Sequence, residues 1–217
     1  MGMRRRFRFI EDRELVEIAQ LGSMEACDEL VWRFRGAVLL AARQVLNSPE
    51  AAQDVAQEAF LCAFRGLAQL ADPEKFAGWL YAITRNRARR VSLRERRSEP
   101  TEDLHLERLM DAYRDEPTAD PLDAVLRAET EAAIRELLCD LPPEIRIVVQ
   151  LYYYEQWPTL RIAKFLSLPL TTIKWRLHAG RTRLSRHLTL LLEEKPDARP
   201  GKETRRTPHP RTAAEDV

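Results

Sequence analysis

Apolar residues recur along this chain at helical spacing, three or four apart, almost wherever they cluster. Leu15, Ile18 and Ala19 share one side of a short helix predicted over 12–21. Gly22 ends that helix and Ser23 caps the next. Leu30, Phe34, Val38, Ala41 and Val45 then form a long helical stripe. Asn47-Ser48-Pro49 reads as a stop and a restart, with serine as N-cap and proline in the first turn. The third helix, predicted over 50–67, has two faces. Val55, Ala59 and Cys62, beside Phe60, Phe64 and Leu67, are apolar; Asp54, Gln57 and Glu58 are polar and acidic. Asp72-Pro73 repeats the cap-plus-proline start. A fourth helix runs from Glu74 toward Arg97, with Phe76, Leu80 and Ile83 inward and Trp79 between faces.

The pattern fades over 98–125, where Pro100, Pro117, Pro121 and many acids read as a linker; a short helix fits near 104–113. It resumes with Leu126, Ala133, Ile134, Leu137 and Leu138, breaks at Leu141-Pro142-Pro143, and restarts at Glu144 with Ile147, Val148, Leu151 and Tyr152 inward. The β-branched run at 148–154 is the one rival strand signal, and it fits a buried helix better here. Gln156-Trp157-Pro158 leads into two short helices around a tight turn, over 159–188. Leu160, Ile162, Ala163 and Leu166 give the first an apolar face. Ser167-Leu168-Pro169 breaks it, because proline disfavours a helical residue before it. The second opens at Leu170 or Thr171 and points Ile173 and Leu177 inward; small Ala163 suits a close crossing. This is the pattern of a DNA-reading helix-turn-helix. Ser167 stands where such turns usually carry glycine, and a left-handed serine costs ~1 kcal/mol. Beyond Leu192 no core pattern remains, which reads as a disordered tail. The expected fold is all-α: two small helical domains joined by an acidic linker, the second containing the helix-turn-helix. The expected divisions are 1–97 with a loose basic arm over 1–10, 98–125, 126–192 and 193–217.

Net charge over the 217 residues is +1, so total charge says nothing about partners. Its distribution does. Residues 84–97 hold seven arginines against one acid, and 98–125 hold nine acids against two bases. In the last helix Lys174, Arg176, Arg181, Arg183 and Arg186 are basic, and no Asp or Glu occurs between Thr171 and Leu192. A merely solvated helix mixes signs; a one-sign face points to a polyanion. Thr171, Thr172, Lys174 and Arg176 occupy the helix start, the part that enters a major groove. Cys27, Cys62 and Cys139 stand apart without a CxxC and read as buried thiols. The four histidines lack ligand spacing. No Ser-His-Asp set or glycine-rich phosphate loop is visible, so neither an enzyme nor a cofactor or metal is indicated. The N-terminus lacks a signal-peptide apolar run, and no stretch approaches ~18 apolar residues, so a cytoplasmic protein without membrane insertion is expected.

Three motifs together resemble the extracytoplasmic-function sigma factors of bacterial RNA polymerase. Asp54-Val55-Ala56-Gln57-Glu58-Ala59-Phe60 is similar to that family's D-x-x-Q-E-x-F helix. The run Phe76-Ala77-Gly78-Trp79-Leu80-Tyr81-Ala82-Ile83-Thr84-Arg85-Asn86 is similar to its F-x-x-W-L-x-x-I-A-x-N helix. Leu141-Pro142-Pro143, followed by a helix-turn-helix ending Thr172-Ile173-Lys174-Trp175-Arg176-Leu177, is similar to its third. The resemblance implies that Asp54, Gln57, Glu58 and Phe60 dock on core RNA polymerase. It implies that Trp79, Arg85, Asn86, Arg89 and Arg90 bind minus-ten promoter DNA. The 67–75 loop would capture an unstacked base there. Thr171, Thr172, Lys174, Arg176 and Arg181 would read the minus-thirty-five element, and an anti-sigma factor is implied as a further partner.

A helix-turn-helix regulator binding operator DNA as a dimer is the alternative reading, and a nucleic-acid enzyme with such an appendage a weaker one. The acidic third-helix motif favours the sigma factor over the regulator. The lack of clustered carboxylates or other metal ligands disfavours the enzyme.

Overall fold

The computed structural model describes residues 7, 9–98, 134 and 137–193. Every regular element among them is helical: α1 (Asp12–Gln20), α2 (Met24–Arg43), α3 (Pro49–Gly66), α4 (Phe76–Ser98), α5 (Pro143–Tyr153), α6 (Thr159–Leu166) and α7 (Leu170–Glu193), with 3-10 turns at Leu67–Gln69 and Pro73–Lys75. The boundaries follow the expected caps. Ser23 accepts from the Ala26 amide and Ser48 from the Ala51 amide. Asp72 accepts from the Glu74 amide, but it opens a 3-10 turn, so α4 starts at Phe76 rather than Glu74. Gly22 takes φ +94, and Ser167 takes the left-handed φ 54, ψ 44 expected of the helix-turn-helix corner. Gln156 is also left-handed, at φ 55. The linker with its short helix, Leu126, Ala133 and the tail beyond 193 lie outside the described residues.

Leu15, Leu30, Phe34, Val38, Phe76 and Leu80 are buried as the stripes require. Four expectations need correction. Leu160 is 58% exposed, and Phe165 takes the inward position instead. Leu160 lies two residues before Ile162, roughly 200° around the helix, whereas Phe165 and Leu166 lie three and four after it. Ile134 is 40% exposed beside buried Leu137 and Leu138. The three cysteines are free and only half-buried. The basic arm is anchored at Phe7, which is buried and whose carbonyl accepts from Arg33.

The two halves share one core. Phe34 of α2 lies 5.6 Å from Phe76 in its own half, and 5.6 Å and 6.4 Å from Trp157 and Phe165 in the other. Gly180 of α7 lies close against α5: a Cβ there would come within 2.5 Å of the Val149 side chain and 3.1 Å of the Ile145 side chain. Ala163 is buried in the shared core.

Candidate nucleic-acid interface

The outward face of α7 follows from what it buries. Ile173, Leu177 and Gly180 point into the second half. At about 100° per residue, Trp175 lies roughly 200° from Ile173, at the centre of the opposite face. It is 63% exposed, with Thr171, Lys174 and His178 exposed around it. Thr172 and Arg176 are half-buried on the flank. Arg181 is exposed but engaged: its Nε donates to the Tyr153 hydroxyl at 2.9 Å, and its guanidinium lies 5.3 Å from the Tyr152 ring. The Tyr153 hydrogen bond also raises the Arg181 pKa. Sequence reasoning placed Arg181 on the reading face and left Trp175 out of it. The sign and periodicity of the helix were legible, whereas the Tyr153 contact is tertiary.

On α4, Arg85, Asn86, Arg89 and Arg90 are all exposed, and no acid interrupts them. Trp79 is half-buried, 6.4 Å from Phe76, and its ring would sit 3.3 Å from a Cβ on Gly66. It therefore supports the start of the 67–75 loop from beneath. Gln20 of α1 pins the same loop by donating to the carbonyls of Leu67 (2.9 Å) and Leu70 (2.8 Å). Buried Thr84 donates to the Leu80 carbonyl within its own helix, so a polar residue sits in the core with its hydroxyl satisfied.

The predicted docking residues cluster on α3. Asp54, Gln57 and Glu58 are exposed. Phe60 is only 8% exposed and forms the wall of an apolar groove of about 390 Å³ with Val31, Leu39, Ala56, Leu61 and Phe64; Gln57 sits at its edge. Glu58 is paired with Arg87 of α4, and Asp54 is not part of that pair. The Arg87 pKa is raised, first by a hydrogen bond with Cys62 and further by Glu58. Among the described residues no group of three or more His, Cys, Asp or Glu side chains is placed to hold a metal, and no helix is long and apolar enough to cross a membrane.

A recognition helix without an acid from Leu170 to Leu192, on a trihelical unit and beside an arginine-faced helix, defines a DNA-binding transcription protein. Residues 30–99 match Sigma-70 region 2 and residues 131–184 match Sigma-70, region 4. The chain is 31% identical over 187 residues to the RNA polymerase sigma-H factor of Pseudomonas aeruginosa, covering 85% of this chain and 97% of that protein. It is 29% identical over 175 residues to the ECF RNA polymerase sigma factor SigW of Bacillus subtilis, covering 77% and 91%. Among solved structures, CnrH in complex with the cytosolic domain of CnrY has the same fold, with a TM-score of 0.54 and 24% identity over 82% of this chain and 97% of that one. The chain belongs to the sigma-70 family, in its extracytoplasmic-function class. It is a sigma factor, directing promoter-specific initiation, and not a dimeric operator repressor.

Proposed function

We propose a division of labour among named residues. The Asp54, Gln57 and Glu58 edge and the groove walled by Phe60 dock on core RNA polymerase. Arg85, Asn86, Arg89 and Arg90 hold minus-ten DNA through phosphates, while Trp79 positions the 67–75 loop that receives an unstacked base. Thr171, Thr172, Lys174 and Arg176 read the minus-thirty-five element with Trp175, and Arg181 braces α7 against α5. The domains divide at 1–97, 98–125, 126–192 and 193–217. The observation that carries the reading is the exposed outward face of α7, acid-free from Thr171 and centred on Trp175. Phosphate contacts position such a helix and base-edge contacts specify it.

The protein acts without cofactor or catalysis of its own, in the cytoplasm where polymerase and chromosome are. An anti-sigma factor is its further partner; the CnrH structure, which includes the cytosolic domain of CnrY, supports that reading. Run-off transcription with core polymerase freed of other sigma factors tests the whole. Initiation from a cognate promoter is expected. A protein that binds DNA as a dimer and confers no initiation on core enzyme would overturn it.

A further inference from the structure

The 67–75 loop is held from outside the two helices it joins. Gln20 is the last residue of α1, and its Nε2 donates to the Leu67 carbonyl at 2.9 Å and to the Leu70 carbonyl at 2.8 Å. Both partners are acceptors, so the side-chain amide must present its NH2 group to them, one hydrogen to each. The Leu67 carbonyl also accepts from the Leu70 amide at 3.1 Å, closing the 3-10 turn over Leu67–Gln69. One primary amide thus draws both carbonyls of that turn toward α1.

The anchor itself is rigid. Leu15, Val16 and Ala19 of α1 are buried. Just past Gln20 the Gly22 amide donates back to the Ala19 carbonyl and the Ser23 amide to the Ile18 carbonyl. A side chain seated on a packed helix places its partners more precisely than one on a loop. The far end of the loop is fixed by its own residues. Asp72 caps the Glu74 amide at 3.1 Å, and its carbonyl accepts from the Lys75 amide at 3.0 Å. Arg13 of α1 comes within 3.7 Å of Glu74, but both side chains are exposed and such a pair holds little. Ahead of Asp72 the loop exposes Ala68, Gln69 and Ala71. A 3-10 turn has poor hydrogen-bond geometry of its own, so how this exposed edge is presented depends on what braces the turn from behind.

We propose that Gln20 is a positioning residue for minus-ten base capture: it fixes the first turn of the loop and so sets how strictly the captured base is chosen. The proposal rests on the reading of 67–75 as the capture loop. A base taken out of the stack is recognised by hydrogen bonds to its edge and by the shape of its seat, and both need fixed partners. Specificity is a difference between two affinities. A turn whose carbonyls can rotate lets a wrong base find an alternative fit, so selectivity falls more than binding does.

A barcoded promoter library randomised across both elements tests it. Core polymerase freed of other sigma factors is loaded with the full chain, wild type or variant, and initiation is read by sequencing the transcripts. Gln20→Met keeps the length without donors, and Gln20→Glu keeps the shape but replaces the donors with acceptors. Each should lower the preference for the best base at the captured minus-ten position by about fivefold or more, as the loss of one or two neutral hydrogen bonds allows. Minus-thirty-five preferences, core-polymerase affinity and the thermal midpoint should stay at wild-type values. Gln20→Lys restores donors on a chain long enough to reach, and should return the preference toward wild type. Unchanged minus-ten preference in both donorless variants overturns the role of Gln20. So does a loss spread equally over the two promoter elements, or a lysine variant no better than methionine. A midpoint lowered by many degrees in all three variants assigns Gln20 to folding and overturns it as well. A wild-type holoenzyme that initiates but prefers no base anywhere in the minus-ten element overturns the capture reading itself, and the role of Gln20 with it.

Discussion

Arg87 of α4 donates to the carboxylate of Glu58 on α3. The acidic face assigned to polymerase docking is therefore two chemically different residues. Glu58 spends part of its charge on a neighbouring helix, whereas Asp54, one turn earlier and exposed, is not in that pair.

The two acids should separate on reversal. Asp54→Lys should leave the thermal midpoint unchanged and weaken core-polymerase binding, most at low salt where screening is least. Glu58→Lys should do the same and also break the Arg87 bridge. Both partners are substantially solvent-exposed, so the loss should stay under about 1 kcal/mol, at most about 2–4 °C in Tm. Thermal melts paired with polymerase binding titrations check both. Wild-type polymerase affinity in Asp54→Lys would mean this face is only solvated.

Trp175 carries the second prediction. A large exposed aromatic at the centre of a recognition face can bury thymine methyl groups in the major groove. Replacing thymine by deoxyuridine across the minus-thirty-five element removes those methyls and nothing else. Wild type should lose about fourfold in affinity per buried methyl, at about 0.8 kcal/mol each. Trp175→Ala should be indifferent to the exchange. A variant as sensitive as wild type would place the methyl contact elsewhere. Arg181→Ala should weaken all sequences alike, because its partner is Tyr153 and its effect is on how α7 is seated.

Most of the helical frame was legible because helix periods and caps are local. Ser23, Ser48, Asp72 and Gly22 mark boundaries through their own backbones or side chains, and the structure places each where its chemistry requires. Leu160 is apolar in a short helix, yet it lies roughly 200° around the helix from buried Ile162 and so faces solvent, an offset that apolar character alone does not reveal. The Arg181–Tyr153 bond, the Glu58–Arg87 pair and the seating of Arg161 on Phe34 join residues 28, 29 and 127 positions apart in sequence. No periodicity encodes such pairs. The packing of the two halves on one core was illegible for the same reason, since each half alone already satisfies its own stripe.

Ser167 gives a third test, on stability. Its φ of 54 puts a residue with a Cβ in the left-handed region. Ser167→Gly should relieve about 1 kcal/mol, raising Tm by about 2–4 °C, whereas β-branched Ser167→Val should lower it by at least as much. Equal midpoints in the two variants would show that the corner is not strained.

The last prediction separates docking from folding in the α3 groove. Phe60 and Leu61 are neighbours with opposite roles. Phe60 is 8% exposed and packs 6.1 Å from Phe64. Phe60→Ala should therefore cost about 3–5 kcal/mol of stability and lower polymerase binding simply because less protein is folded. Leu61 also lines the groove but is exposed over half its surface. Leu61→Asp leaves the core intact, so its thermal midpoint should stay within about 2 °C of wild type, as for surface changes generally. If a partner helix fills the groove, the new carboxylate must be desolvated there without a counter-charge, and polymerase affinity should fall at least tenfold. Raising salt should not rescue it, because the loss is desolvation rather than screened repulsion. Asp54→Lys predicts the opposite salt response, so the two variants measured across one salt series distinguish an apolar seat from an electrostatic rim. Leu61→Asp with wild-type polymerase affinity would show that the groove stays empty in the holoenzyme and that docking rests on the charged edge alone.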